Sequence, residues 1–201
     1  MRPLDDAVTA VPEPLGRLMT VDAYAALGED DRYRSELQEG SLVMSPSPAP
    51  DHMVAMAKLL VQLDEQLPSG LLVIPDVDVD LELAPRGKPG FVRRPDLVVV
   101  HRAALERVRR DGGILRACEA LVVVEIVSPG SHRTNYVIKH GEYADAGIPH
   151  YWIVNLDAPV TLIDCHLAAE FGYQDAGPVT GRFVTTDPFP VNLRLGKLLP
   201  S

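Results

Sequence analysis

Two runs of β-branched residues constrain this chain more than anything else in it: RPDLVVV at 94–100 and ALVVVEIV at 120–127. Neither alternates apolar with polar residues. A strand that is apolar on both sides belongs inside a sheet whose two faces are covered, so the chain needs layers above and below a central sheet. Each run carries one acid, Asp96 at the entry of the first LVVV and Glu125 at the exit of the second. A carboxylate in such a strand is costly unless something pairs with it.

The rest of the pattern supplies those layers. Thr20 predicts an N-cap for a short helix through Val21–Leu27, stopped by Gly28. Residues 33–45 read as two strands around a Glu39-Gly40 turn. Asp51 is placed to cap a helix running to about Leu67, with Met53, Met56, Leu60, Leu63 and Leu67 on its apolar face. The stretch LLVIPDVDVDLEL predicts strand, alternating from Val77 to Leu83, and a basic stretch follows the first apolar run as far as Arg116. A helix is expected over 133–146, ended by Gly147-Ile148-Pro149, followed by strands in HYWIVNL, PVTLIDCHL, EFGYQ and GRFVTTD. With 201 residues, this suits one mixed α/β domain over 19–201 behind a flexible tail at 1–18, which holds Pro3, Pro12 and Pro14.

Composition narrows the classes. Two cysteines, Cys118 and Cys165, exclude a disulfide scaffold and are expected as buried thiols in a reducing compartment. No apolar run reaches the roughly 18 residues that cross a bilayer, and the N-terminus is acidic and Pro-containing, so a soluble cytoplasmic protein is expected. His132, His140, His150 and His166 lack zinc-hydrolase spacing. No phosphate-binding glycine loop is present, and Gly112-Gly113 reads as a turn. Tyr143, Tyr151 and Trp152 read as core residues. The net charge is −9, yet residues 86–116 hold nine Lys/Arg against three acids, 9 − 3 = +6. Such a stripe is either a solvated face or a contact for a polyanion.

If the two apolar runs are antiparallel neighbours, the entry of one lies beside the exit of the other, and Asp96 meets Glu125. Two carboxylates at a buried sheet edge repel one another. A hard divalent cation, Mg²⁺ or Mn²⁺, relieves that repulsion, since Mg²⁺ favours one or two carboxylates plus water and phosphate. The Ile126 carbonyl is within reach of such an ion. Lys139, on the following helix and on the face of Tyr136 and Tyr143, is a candidate for the cationic group. Bland alternatives stand beside this. Asp96 could cap a turn after Pro95, Glu125 and Lys139 could form a structural ion pair, and Glu36 could be a hairpin charge. His52 could be a surface or cap residue.

The ordered set of RPDLVVV, VVVEIVSPGS, Lys139 in a helix and YADAGIPHYWIVN, with MTVDAYAAL, SELQEGSLVMSPSP and His52 upstream, resembles the Uma-two family of endonucleases. That family is part of the PD-(D/E)XK superfamily. The resemblance implies a restriction-endonuclease-like mixed sheet flanked by helices and a divalent metal held by Asp96 and Glu125. Lys139 then stands for the superfamily lysine, because Val127 occupies the usual Glu-x-Lys slot. Glu36 is implied as a further acid near the site. Asn135 and Glu39 depart from the pattern, each standing where relatives often carry Asp. The implied function is a metal-dependent endonuclease acting on nucleic acid, DNA first; a homodimer is expected because double-strand cleavage needs two sites, and no membrane partner is expected because no apolar run is long enough to span a bilayer. The alternative is a catalytically inert nuclease fold used for binding or oligomerisation.

Overall fold

The two apolar runs are adjacent antiparallel strands in the larger of three sheets. The computed structural model describes residues 18–28, 34–45, 47–128 and 130–200. The tail read over 1–18 therefore lies, apart from Leu18, outside the described residues, as do Tyr33 and Pro129.

Helix α1 (Val21–Ala25) begins at Thr20, whose hydroxyl accepts the Ala23 N–H at 3.1 Å. Strands β1 (Arg34–Gln38) and β2 (Ser41–Ser45) form a hairpin. Its turn holds Glu39 and Gly40 at φ 49° and 78°, the left-handed pair that matches strand twist. Helix α2 (Pro50–Asp64) follows, then β3 (Leu71–Pro75), β4 (Val79–Asp80), β5 (Val92–Arg93) and β6 (Leu97–His101). Helix α3 (Arg102–Asp111) leads through β7 (Leu115–Arg116) into β8 (Ala120–Val127). A π-helical stretch, Thr134–Lys139, runs directly into α4 (His140–Asp145). The chain closes with β9 (His150–Asn155), β10 (Thr161–Leu167), β11 (Tyr173–Asp175), β12 (Val179–Thr180), β13 (Arg182–Thr185) and β14 (Val191–Arg194).

The main sheet has the order β11-β10-β9-β8-β6-β3, with β12 against β10. Only the β8–β9 pair is parallel, so the sheet is mixed. A second sheet has the order β2-β1-β5-β4-β7, and β13 pairs with β14. Alternation along β6 and β8 feeds two cores. Leu97, Val99, Val122, Val124 and Ile126 pack with Ala55, Leu59 and Leu63 of α2 and with Leu193, Leu195 and Leu198. Val98, Val100 and Val123 pack on the other face with Tyr143, Ile148, Val79 and Leu81. Both faces are covered, as the unalternating runs demand. No described helix is long and apolar enough to cross a membrane.

Several expectations are corrected. Helix α2 starts at Pro50, with Ala49 as N-cap, so Asp51 lies in the first turn and makes no cap. Its buried face is His52, Ala55, Leu59 and Leu63, while Met53 is 44% exposed. Of the expected stripe, Leu63 is in the core and Met56, Leu60 and Leu67 pack against it; only Met53 turns outward, and His52 takes the inward place at that end of the helix. LLVIPDVDVDLEL is not one strand: Asp76, at φ 47°, turns the chain from the main sheet (β3) to the second (β4). The basic stretch contains a helix, α3, that the sequence reading did not place. Its arginines do not share one face: Arg107 pairs with Glu119, Arg110 with Asp111, Arg94 with Asp78, and Arg93 is buried. Cys118 is exposed; only Cys165 is buried.

Candidate active site

The site lies where β6 begins and β8 ends. Leu97 is registered with Val124 in this antiparallel pair, so the next step outward sets Asp96 across from Glu125. The Asp96 side chain crosses the gap itself: Oδ2 accepts the Ile126 N–H at 2.6 Å. Asp96, Glu125, Glu36 and Lys139 are all buried, at 1%, 4%, 6% and 6% exposure.

Glu125 points to the α4 side of the sheet. Its Oε1 accepts from Lys139 Nζ at 2.7 Å and from the Tyr143 hydroxyl at 2.8 Å. The π-helical turn that precedes α4 carries Lys139 at its end, and such turns recur at functional sites. Lys139 Nζ also donates to Glu36 Oε1 at 2.8 Å, which joins the first hairpin to the main sheet. Glu36 is held further by Arg93, which donates to Oε2 at 2.8 Å, and by the Arg94 N–H. Arg93 in turn makes a two-pronged contact with Glu142, at 2.6 and 2.7 Å. The five residues Glu125, Lys139, Glu36, Arg93 and Glu142 thus form an alternating chain of charges that ends on α4.

Asp96 belongs to a second network, on the α2 side. Arg34 Nη1 donates to Oδ1 at 3.0 Å and bridges to Asp76 at 3.0 Å. His52 Nε2 meets the same Oδ1 at 3.0 Å. A carboxylate only accepts, so Nε2 donates in this bond, and Nδ1 faces the Ser128 hydroxyl at 3.0 Å.

These surroundings set the protonation of the acids. Burial pushes Asp96 upward, but the His52 hydrogen bond, the Arg34 charge and the Ile126 N–H outweigh it and hold the carboxyl below its ordinary range. Burial likewise opposes ionisation of Glu36, yet Lys139 and Arg93 pull it down to about 2. Glu125 goes the other way: burial, together with the negative charges of Asp96 and Glu36, raises it despite Lys139. Lys139 loses solvent but gains Glu125 and Glu36, and its affinity for the proton rises.

The donor set suits a hard cation. Asp96 and Glu125 offer oxygen only, and Glu125 Oε2 accepts no hydrogen bond among the described residues. A divalent ion between the two acids would remove the repulsion that raises Glu125. The structure brings together Asp96, Glu125, Lys139 and Glu36, with the Ile126 backbone beside them. The sequence reading missed Arg34, Arg93, Glu142 and Ser128, and read Tyr143 only as core. Tyr143 had a signal, since it stands four residues after Lys139 on one helix face.

A family model described as "Putative restriction endonuclease", Uma2, matches residues 21–194. The chain belongs to the Uma2 family. Its fold is similar to a crystal structure described as a "putative nuclease belonging to DUF820 from Anabaena variabilis", with a TM-score of 0.67 and 16% identity. That match covers 90% of this chain and 97% of the other. No curated protein matches the chain. Membership of Uma2 supports nuclease function as the broad class.

Proposed function

We propose that this Uma2 chain is a metal-dependent endonuclease that hydrolyses DNA phosphodiester bonds. The observation that carries the reading is the convergence of Asp96 and Glu125 at one sheet end with Lys139 Nζ 2.7 Å from Glu125. Asp96 and Glu125, with the Ile126 carbonyl, would hold Mg²⁺ or Mn²⁺. When bound, such an ion acidifies a water and neutralises charge on phosphate oxygens.

The chain's own groups do the rest. Lys139 presents a fixed ammonium where charge develops on the phosphoryl oxygens and orients the attacking water. Glu36 holds that ammonium in place from the far side, and Arg93 holds Glu36. The Tyr143 hydroxyl fixes Glu125 Oε1, which leaves Oε2 as its free donor. Arg34 and His52 keep Asp96 ionised and locked in one rotamer. Double-strand cleavage takes two such sites, which a two-fold dimer supplies. A cytoplasmic setting agrees with the free thiols Cys118 and Cys165.

The test is supercoiled plasmid incubated with Mg²⁺ or Mn²⁺, with a chelator control. Nicking or linearisation that requires the ion, and that Glu125→Gln and Lys139→Ala remove, is the expected outcome. Cutting retained by both variants would refute the assignment. A second reading, an inert nuclease-fold binding or oligomerisation module, has one observation in its favour. Every fully buried polar side-chain atom among the described residues already has a partner, so none of those atoms needs an ion to complete its contacts; the partnerless Glu125 Oε2 is not one of them. Calorimetric titration with Mg²⁺ separates the two: no uptake together with intact plasmid selects the inert module.

A further inference from the structure

The residue after Lys139 belongs to a different cluster. His140 opens α4, and its Nε2 lies 2.8 Å from Asp175 Oδ1 on β11. Cys165 on β10 is the direct cross-strand partner of Asp175. One donor atom from each of His140, Cys165 and Asp175 lies within 4.8 Å of the other two. We propose that these three residues form a second cation site, selective for Zn²⁺ or a similar first-row divalent ion. It is independent of the nuclease reading.

The chemistry of the donors argues for this class. Imidazole, thiolate and carboxylate together suit zinc, whereas Mg²⁺ takes oxygen alone. From zinc's usual bond lengths, tetrahedral donors stand about 3.3–3.6 Å apart. His140 Nε2 and Asp175 Oδ1 are 2.8 Å apart and no pair of donors is further apart than 4.8 Å, so side-chain adjustments suffice to close on an ion. Burial is graded in a useful way: Cys165 is fully buried, His140 half-buried and Asp175 exposed. Three protein ligands are thereby anchored from inside, with the outer side open to a water as fourth ligand.

The imidazole is also fixed from behind. Tyr173 meets the His140 ring edge-on at a centroid distance of 5.2 Å, and Tyr151 does so at 6.3 Å. Both tyrosines are tied down in turn, Tyr173 donating to the Ile148 carbonyl at 2.8 Å and Tyr151 to the Asn135 carbonyl at 3.0 Å. Ligand orientation of this kind is what an outer shell supplies in metal sites. The three ligands come from α4, β10 and β11, so a bound ion pins the junction of the π-helical stretch and α4 to the β10–β11 hairpin.

The test is titration of chelator-stripped, full-length protein with Co²⁺, then Zn²⁺. One Co²⁺ per chain with a thiolate-to-cobalt charge-transfer band, displaced by Zn²⁺, is expected, and Zn²⁺ should raise the melting temperature. Cys165→Ser should abolish the band. His140→Gln and the exposed Asp175→Asn should weaken Co²⁺ binding by at least about tenfold. The band should persist in Asp96→Asn and Glu125→Gln, which keeps this site distinct from the carboxylate site. Absence of a thiolate band in the wild-type protein would overturn the proposal. So would a band that survives Cys165→Ser and disappears in Cys118→Ser.

Discussion

Asp96 and Glu125 face each other across two adjacent strands, yet the α2 side and the α4 side of the sheet end treat them in opposite ways. Asp96 receives Arg34, His52 and a backbone N–H, and its carboxyl is held below the ordinary range. Glu125 shares its lysine with Glu36, has Asp96 as a neighbour, and is raised. The difference shows that nearness to a cation does not decide the charge state of a buried acid; the balance of cations to anions around it does. Asp96 is a fixed anion that organises the α2 side. Glu125 is the place where one additional positive charge relieves the most repulsion.

The contrast is open to attack by substitution. The largest expected effect is catalytic and common to both sides. Asp96→Asn, Glu125→Gln and Lys139→Met should each lower ion-dependent plasmid cleavage by roughly 10²–10³-fold, the loss typical of an electrostatic group at a reacting centre.

Stability should then separate the two acids. In chelator, Asp96→Asn should cost about 3 kcal/mol in urea unfolding, the low end for breaking a buried pair because Arg34 keeps Asp76. Glu125→Gln should change stability by less than about 1 kcal/mol, since Lys139 keeps Glu36 as its partner and the repulsion from Asp96 and Glu36 is relieved. Equal losses would break the comparison.

Acid titration gives the next effect. Glu36 is depressed to about 2, so its ionised form contributes stability that is complete above the ordinary carboxylate pKa and is lost as pH falls towards 2. Glu36→Gln should flatten the pH dependence of the melting temperature in that acid window and leave its slope near neutrality unchanged. The smallest effect belongs to His52→Ala, which removes an orienting contact and no ligand. It should slow cleavage by roughly tenfold, and a variant as fast as wild type would limit His52 to packing.

How much of this was visible in the chain depends on whether direction follows from pattern. The central strands were legible because β-branched runs without alternation have one good environment, and from their adjacency the meeting of Asp96 and Glu125 follows. The reach of Lys139 followed from helix geometry, although nothing in TNYVIK marks its π-helical winding. Charge counting hid the arginines. Arg93 and Arg94 are neighbours in sequence, but alternation sends Arg93 to Glu36 and Glu142 and Arg94 to Asp78. His52 was obscured for a related reason, since a 3.6-residue period defines a stripe but not its rotation, and choosing Met53 turned His52 outward. Helix α3 was hard to read because RAALERVRRD is dominated by charge and its inward stripe is short, with Ala104 buried and Val108 packed one turn on. The whole of β9 separates His140 from Cys165 in sequence; the β10–β11 register sets Cys165 beside Asp175, and the contact of His140 with Asp175 brings in the third residue.

The most direct test of the carboxylate site is a crystal soaked in Mn²⁺ and measured for anomalous scattering. A peak is expected at about 2.0–2.3 Å from one oxygen each of Asp96 and Glu125, near the distance for small hard cations, and it should disappear in Glu125→Gln. A well-diffracting soak with no peak between those two carboxylates, or with manganese bound only elsewhere, would contradict this assignment.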